Sequence, residues 1–174
     1  FYKYFTFSNR LRLFINKHIM ILSAKRSDIV IHESEFSRNL FITKYGFDRK
    51  KTEVIYHGKD NYFYPKTTVD VKKRISDKLK YTDPFVLCVS HLYPYKNISN
   101  MIEAFDLARK TTGTDICLVI AGKIVSDKYY KTLLSTVNNL GLKESIIFLG
   151  LVSKEQLLDL YSSCLFFIFP SPYE

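Results

Sequence analysis

The stretch that decides the fold is residues 85–110, FVLCVSHLYPYKNISNMIEAFDLARK. It opens on a short apolar run of β-formers at 85–90. After a polar connection it continues with apolar residues at helical spacing, so that Ile98, Met101, Ile102, Phe105 and Ala108 share one helix face. Asn97 stands where an N-cap belongs. A continuously apolar strand is buried on both faces, and a strand of that kind followed by an amphipathic helix is half of a parallel βαβ unit.

The same rhythm repeats downstream. ICLVIAG (116–122) reads as a second buried strand and leads to a helix from about Asp127, with Tyr130, Leu133, Leu134 and Val137 inward and Gly141 as its stop. IIFLG (146–150) is the third strand. Ser153 and Gln156 then predict a capping box ahead of Leu157, Leu160 and Tyr161. LFFIF (165–169) is the fourth strand. The class expected is α/β, a Rossmann-like parallel sheet with helices on both faces. No helix follows the fourth strand and the chain starts at Phe1, not Met, so a fold truncated at both ends is expected.

Upstream the pattern is less regular. A basic helix covers about 8–25, a strand follows at 28–32 (DIVIH), and a helix begins near Ser34. EVIYHGKD (53–60) reads as a short strand and turn, and His57 within it is a weak candidate for lining a cleft. The division expected is 1–62 as the end of a first domain, 63–84 as a linker with room for one helix, and 85–174 as part of a ligand-binding domain.

Composition narrows the function classes. The chain has 174 residues, 47% of them hydrophobic, and its most membrane-like stretch, LRLFINKHIMIL, is broken by Lys17 and His18. The net charge of +9 lies wholly in the first half: residues 1–83 hold 18 Lys and Arg against 9 Asp and Glu, residues 84–174 hold 8 against 8. That asymmetry suits a basic face against the anionic inner face of a membrane, and a solvated lysine-rich face accounts for it equally well. Nucleic acid is not expected as a partner, because zinc spacing, a recognition-helix pattern and an aromatic RNA-binding signature are all missing. Cys88, Cys117 and Cys164 lie in or beside apolar runs and read as reduced thiols of a cytoplasmic protein. The four histidines lack ligand spacing, so neither a metal nor another cofactor is implied.

In open parallel sheets ligands bind where strands end and helices begin. Those positions here carry Ser90 and His91, Gly122 and Lys123, Gly150, Leu151 and Val152, and Ser171 with Glu174. Lys96 and Asn97 open the first helix, whose free N–H groups favour an anion. Singly, each is ordinary: a surface lysine, a glycine serving a turn, a histidine packed at a strand end. Their convergence on one sheet edge points to a phosphate-bearing ligand.

The order of these pieces, from FVLCVSHLYPYKN through ICLVIAGK and IIFLGLVSKEQL to LFFIFPSPYE, resembles the nucleotide-binding domain of glycosyltransferase family 4, a group 1 retaining enzyme of GT-B fold. SEFSRNLFITKYGFDRKKTEVIYHGKDNYFYP resembles that family's passage from first to second domain. The resemblance implies a sugar nucleotide bound without metal and a saccharide or lipid-linked acceptor, in polysaccharide or glycoconjugate synthesis. By position, Lys96 would hold the donor diphosphate, the backbone of Gly150 to Val152 would line the base pocket, and Glu174 would contact the donor sugar as the first of a glutamate pair. The family usually has arginine where this chain has His91. Either His91 is protonated beside the phosphates, or the site leans on Lys96 and the helix end, or activity is lost and a nucleotide-sugar-binding or protein-interaction module remains. As given, the chain is expected not to turn over substrate.

Overall fold

The computed structural model describes residues 7–66, 69–79 and 84–172. Its chain divides into two units, Phe1–Asp60 and Asn61–Glu174.

In the first unit, helix α1 (Phe7–Arg26) precedes strand β1 (Val30–His32), which pairs in parallel with β2 (Thr52–Val54). Helix α2 (Glu35–Tyr45) lies between them in sequence. Ser34 caps it by accepting the Ser37 N–H, and Gly46 ends it at φ 68°. Arg38 ties α2 to β2, donating from Nε to Thr52 Oγ1 at 3.0 Å and from Nη2 to the Thr52 carbonyl at 2.8 Å. Two short strands offer little surface to bury. Accordingly, Leu11, Phe14, Ile15 and Ile19 of α1 are exposed.

In the second unit the repeating pattern becomes helix α3 (Val69–Leu79), then β3 (Phe85–Val89), α4 (Ile98–Thr112), β4 (Cys117–Ala121), α5 (Asp127–Asn139), β5 (Ile146–Gly150), α6 (Lys154–Ser163) and β6 (Phe166–Phe167). The four strands are parallel in the order β5-β4-β3-β6. Alternate residues of the central strands feed two cores. Val86, Cys88, Leu118 and Ile120 pack with Ile98, Met101, Ile102 and Phe105 of α4 and with Leu133 and Val137 of α5. Phe85, Leu87, Cys117 and Val119 pack with Ile75 of α3 and Leu160 of α6. Each fully buried aliphatic side chain contributes about 1.5–3 kcal/mol, which is why the central strands contain no polar residue.

Four details differ from the sequence reading. The second unit begins at Asn61, and α3, inside the expected linker, packs into it: Val71 and Ile75 are buried, and Arg74 pairs with the buried Asp159 at 2.8 and 3.0 Å. That bond holds the Arg74 guanidinium above its ordinary value. The expected linker had room for one helix; what its charge-rich sequence did not mark is that Val71 and Ile75 are buried in the second unit. On α6, Leu158 and Leu160 are buried while Tyr161 is largely exposed, although the capping box of Ser153 and Gln156 forms as predicted. β6 is shorter than the 165–169 run: as an edge strand it has one neighbour, and Phe166 is 54% exposed. Asn97 occupies the N-cap position of α4 but makes no side-chain cap; it adopts a left-handed backbone (φ 61°), and its Nδ2 donates to the Pro170 carbonyl at 3.4 Å.

Candidate functional site

From β3 the chain steps outward through β4 to β5, then returns for β6 on the other side of β3. The crossover that leaves β3 runs toward β4, away from β6, so a crevice lies at the carboxyl ends of β3 and β6. A cleft of about 490 Å³ lies along that edge, lined by Val89, Ser90, His91, Tyr93, Tyr95, Lys96, Ala121, Gly122, Leu151, Val152, Leu157 and Phe169. Among the described residues no carboxylate lines it, so its charged side chain is the Lys96 ammonium.

Backbone closeness shapes the floor. The strand ladder continues past β3 and β4, with Ser90 N–H donating to the Ala121 carbonyl and Leu92 N–H to the Lys123 carbonyl, both at 2.9 Å. Gly122 N–H donates to the Gly150 carbonyl at 2.8 Å. Gly122 has φ 153°, and a Cβ built there would stand 2.0 Å from the Ser90 carbonyl oxygen. Only glycine fits. At β5 the register slips: Ile120 faces Phe148 but Ala121 faces Gly150, which leaves Leu149 as an extra residue. Gly150 takes φ 66° beyond the slip and turns the chain, so that Leu151 is 69% exposed at the rim.

Lys96 ends a short 3₁₀ turn, Pro94–Lys96, which starts on a proline whose fixed φ suits a first helical position. Its Nζ lies 5.3 Å from the Tyr95 ring centroid and 4.9 Å from that of Phe169. The α4 helix follows at once, with no side-chain cap and no acidic residue in its first turn. Its opening thus presents positive partial charge beside the Lys96 cation.

His91 is exposed, and its Nδ1 accepts the Lys123 N–H at 3.1 Å. An amide nitrogen can only donate, so Nδ1 carries no proton and Nε2 holds the one available for donation. Ser90 is buried, its hydroxyl donating to the His91 carbonyl at 3.2 Å.

The structure thus brings Ser90, His91, Lys96, Gly122, Leu151 and Val152 to one cleft. Asn97, Lys123, Gly150 and Ser171 are not among its lining residues; the first three support it through the bonds given above. Glu174 lies outside the described residues. His57 belongs to the first unit, where its Nε2 bonds Glu33 Oε2 at 2.8 Å. Sequence reasoning missed Tyr93, Tyr95 and Phe169. The Tyr-Pro-Tyr between His91 and Lys96 was a readable signal, whereas nothing local marks Phe169.

The cysteines stand apart from the cleft. Burial pushes the Cys88 thiol up to about 12 and raises Cys164 as well. Among the described residues no three metal-ligating side chains gather, and no helix is long and apolar enough to cross a membrane.

Residues 70–174 match the family described as glycosyl transferases group 1. The mannosylfructose-phosphate synthase of Agrobacterium fabrum is 27% identical over 176 residues, covering 98% of this chain and 37% of that protein. An N-acetylgalactosaminyltransferase of Campylobacter jejuni, whose name specifies a diphospho-undecaprenol-linked acceptor, is 24% identical over 95% of this chain and 41% of its own length. Among solved structures, HepE of Anabaena in complex with UDP and glucose superposes with a TM-score of 0.74 at 25% identity, over 97% of this chain and 43% of that one. The chain spans about two fifths of the length of these proteins.

Proposed function

This chain belongs to the glycosyl transferases group 1 family, and on that premise we propose that its second unit binds the nucleoside diphosphate of a sugar nucleotide in the cleft. The observation that carries this reading is the convergence of Lys96, the His91 ring and the opening of α4 beside the crevice between β3 and β6. Lys96 and the first-turn amides of α4 take the diphosphate, and the His91 Nε2–H adds one neutral donor. The backbone of Gly150, Leu151 and Val152 receives the base. Ser90, Gly122, Lys123 and Asn97 hold the floor in shape, and Ser171 and Glu174 are assigned to the donor, Glu174 to its sugar. The UDP complex of HepE supports placing a nucleotide on this fold.

For the whole protein we propose a retaining transferase of family 4 that moves a sugar to a saccharide or lipid-linked acceptor in polysaccharide or glycoconjugate synthesis. The names of the mannosylfructose-phosphate synthase and the Campylobacter enzyme support that acceptor class. With retention, the acceptor hydroxyl attacks the face that the nucleotide leaves. Charge then builds on the departing diphosphate, and preorganised donors stabilise it most. Lys96 and the α4 terminus are placed for that. The location proposed is cytoplasmic, with the basic α1, which contains no acid, touching anionic lipid. The chain alone is expected to bind nucleotide without transferring sugar.

Lys96→Ala in the whole protein should lower kcat/KM by about 10²–10³, the usual cost of one such donor, with thermal unfolding unchanged. An unchanged rate would refute the assignment. A second reading, a nucleotide-sugar-binding module without transfer, draws on His91 standing where the family usually has arginine. It is favoured if the whole protein binds nucleoside diphosphates but transfers sugar from neither uridine nor guanosine donors.

A further inference from the structure

The Lys96 ammonium sits over two aromatic faces that reach it from different parts of the chain. Tyr95 belongs to the turn after β3, and its ring centroid is 5.3 Å from Nζ. Phe169 follows β6 on the other side of the crevice, at 4.9 Å. Neither ring stands alone. Tyr93 stacks on Tyr95 with centroids 5.2 Å apart at 20°, and Phe167 stacks on Phe169 at 6.1 Å and 16°. Phe169 is 40% exposed, as its neighbours Phe166 and Phe167 on this sheet edge also are, so its ring face is open to the crevice.

We propose that Tyr95 and Phe169 are positioning residues for Lys96, a ring clamp that holds its ammonium at the crevice for the diphosphate. This rests on the reading of Lys96 given above. A lysine on its four-carbon stem samples many rotamers, and ordering it when the ligand arrives weakens binding. A ring face attracts an ammonium through its quadrupole without cancelling the charge. Two faces therefore narrow where the cation can go while leaving it able to meet an anion. Because one ring comes from each side of the crevice, the clamp also makes the lysine's position depend on β6 being seated against β3.

The test is a double-mutant cycle on this chain, titrated by calorimetry with UDP or GDP, whichever binds more tightly, and with its nucleoside alone. Tyr95→Leu and Phe169→Leu should each weaken diphosphate binding about 3- to 10-fold, the range for partly desolvated cation–π contacts, and leave nucleoside binding unchanged. In a Lys96→Met background the same changes should have no further effect, since the rings act through the lysine. Tyr95→Phe and Phe169→Tyr keep the ring and should recover affinity to within about 2-fold, which separates loss of the clamp from loss of fold. Weakening of equal size with Lys96 absent would show that the rings touch the ligand themselves, and would overturn the clamp. So would unchanged binding in both leucine variants. If Lys96→Met alone leaves diphosphate binding unaltered, the assignment of Lys96 falls first, and the clamp with it.

Discussion

Gly122→Ala is the sharpest structural test of how this sheet edge is built. The added Cβ would stand 2.0 Å from the Ser90 oxygen, 2.5 Å from its carbonyl carbon and 3.0 Å from the His91 nitrogen. All three are backbone atoms, so no side chain can swing away. Relief needs a movement of about 1 Å between the ends of β3 and β4, an overpacking that costs about 1–3 kcal/mol. At φ 153° an alanine is also strained, by about 1–3 kcal/mol more. The same displacement pulls on the Ser90–Ala121, Gly122–Gly150 and Lys123–His91 hydrogen bonds. The expected loss is roughly 2–6 kcal/mol, a large part of a typical domain stability of about 5–15 kcal/mol. Urea denaturation followed by far-UV circular dichroism would measure it, with nucleoside diphosphate titration on whatever remains folded. Gly113→Ala is the control: its φ is 65° but nothing lies within 4 Å of its Cβ, so only the left-handed strain of about 1–2 kcal/mol applies. If the two variants unfold at the same midpoint, close approach at Gly122 does not shape the site and the reasoning is refuted.

Four other outcomes follow from particular contacts. Long-range ¹H–¹⁵N correlation spectra of His91 should show the Nε2–H tautomer, and a proton on Nδ1 would contradict its bond from the Lys123 amide. Removing the guanidinium with Arg74→Met strands the buried Asp159 carboxylate and should lower the unfolding midpoint by several degrees without altering nucleotide affinity; an unchanged midpoint would mean that the pair holds nothing. Because burial raises the Cys88 thiol from about 9 to about 12, the unfolded chain ionises first as pH rises; stability should be full below pH 9, fall between 9 and 12, and fall less in Cys88→Ala relative to its own neutral-pH value. At neutral pH Cys88 and Cys117, both buried, should resist thiol reagents until the chain unfolds, and rapid labelling of either would place it at the surface.

The sequence by itself determined the parts of this protein that obey a local period. Apolar runs at 85–90, 116–122 and 146–150 read as strands, the i, i+3, i+4 spacing of Ile98, Met101, Ile102 and Phe105 set the inner face of α4, and Ser153 with Gln156 announced the start of α6. Because parallel strands all point one way, this much also placed Ser90, His91, Gly122 and Val152 on one edge. Tertiary structure alone decided what depends on strand order. Asn97 reaches Pro170 across 73 residues and Phe169 meets Lys96 because β6 returns to the flank of β3 opposite β4, while His91 accepts from Lys123 across 32 residues because β4 lies beside β3. No residue period within a strand or helix encodes that return. The capping role expected of Asn97 gave way to it for the same reason: a side-chain donor at the start of α4 can bond its own helix or the neighbouring strand end, and only the packed sheet brings the second partner within reach.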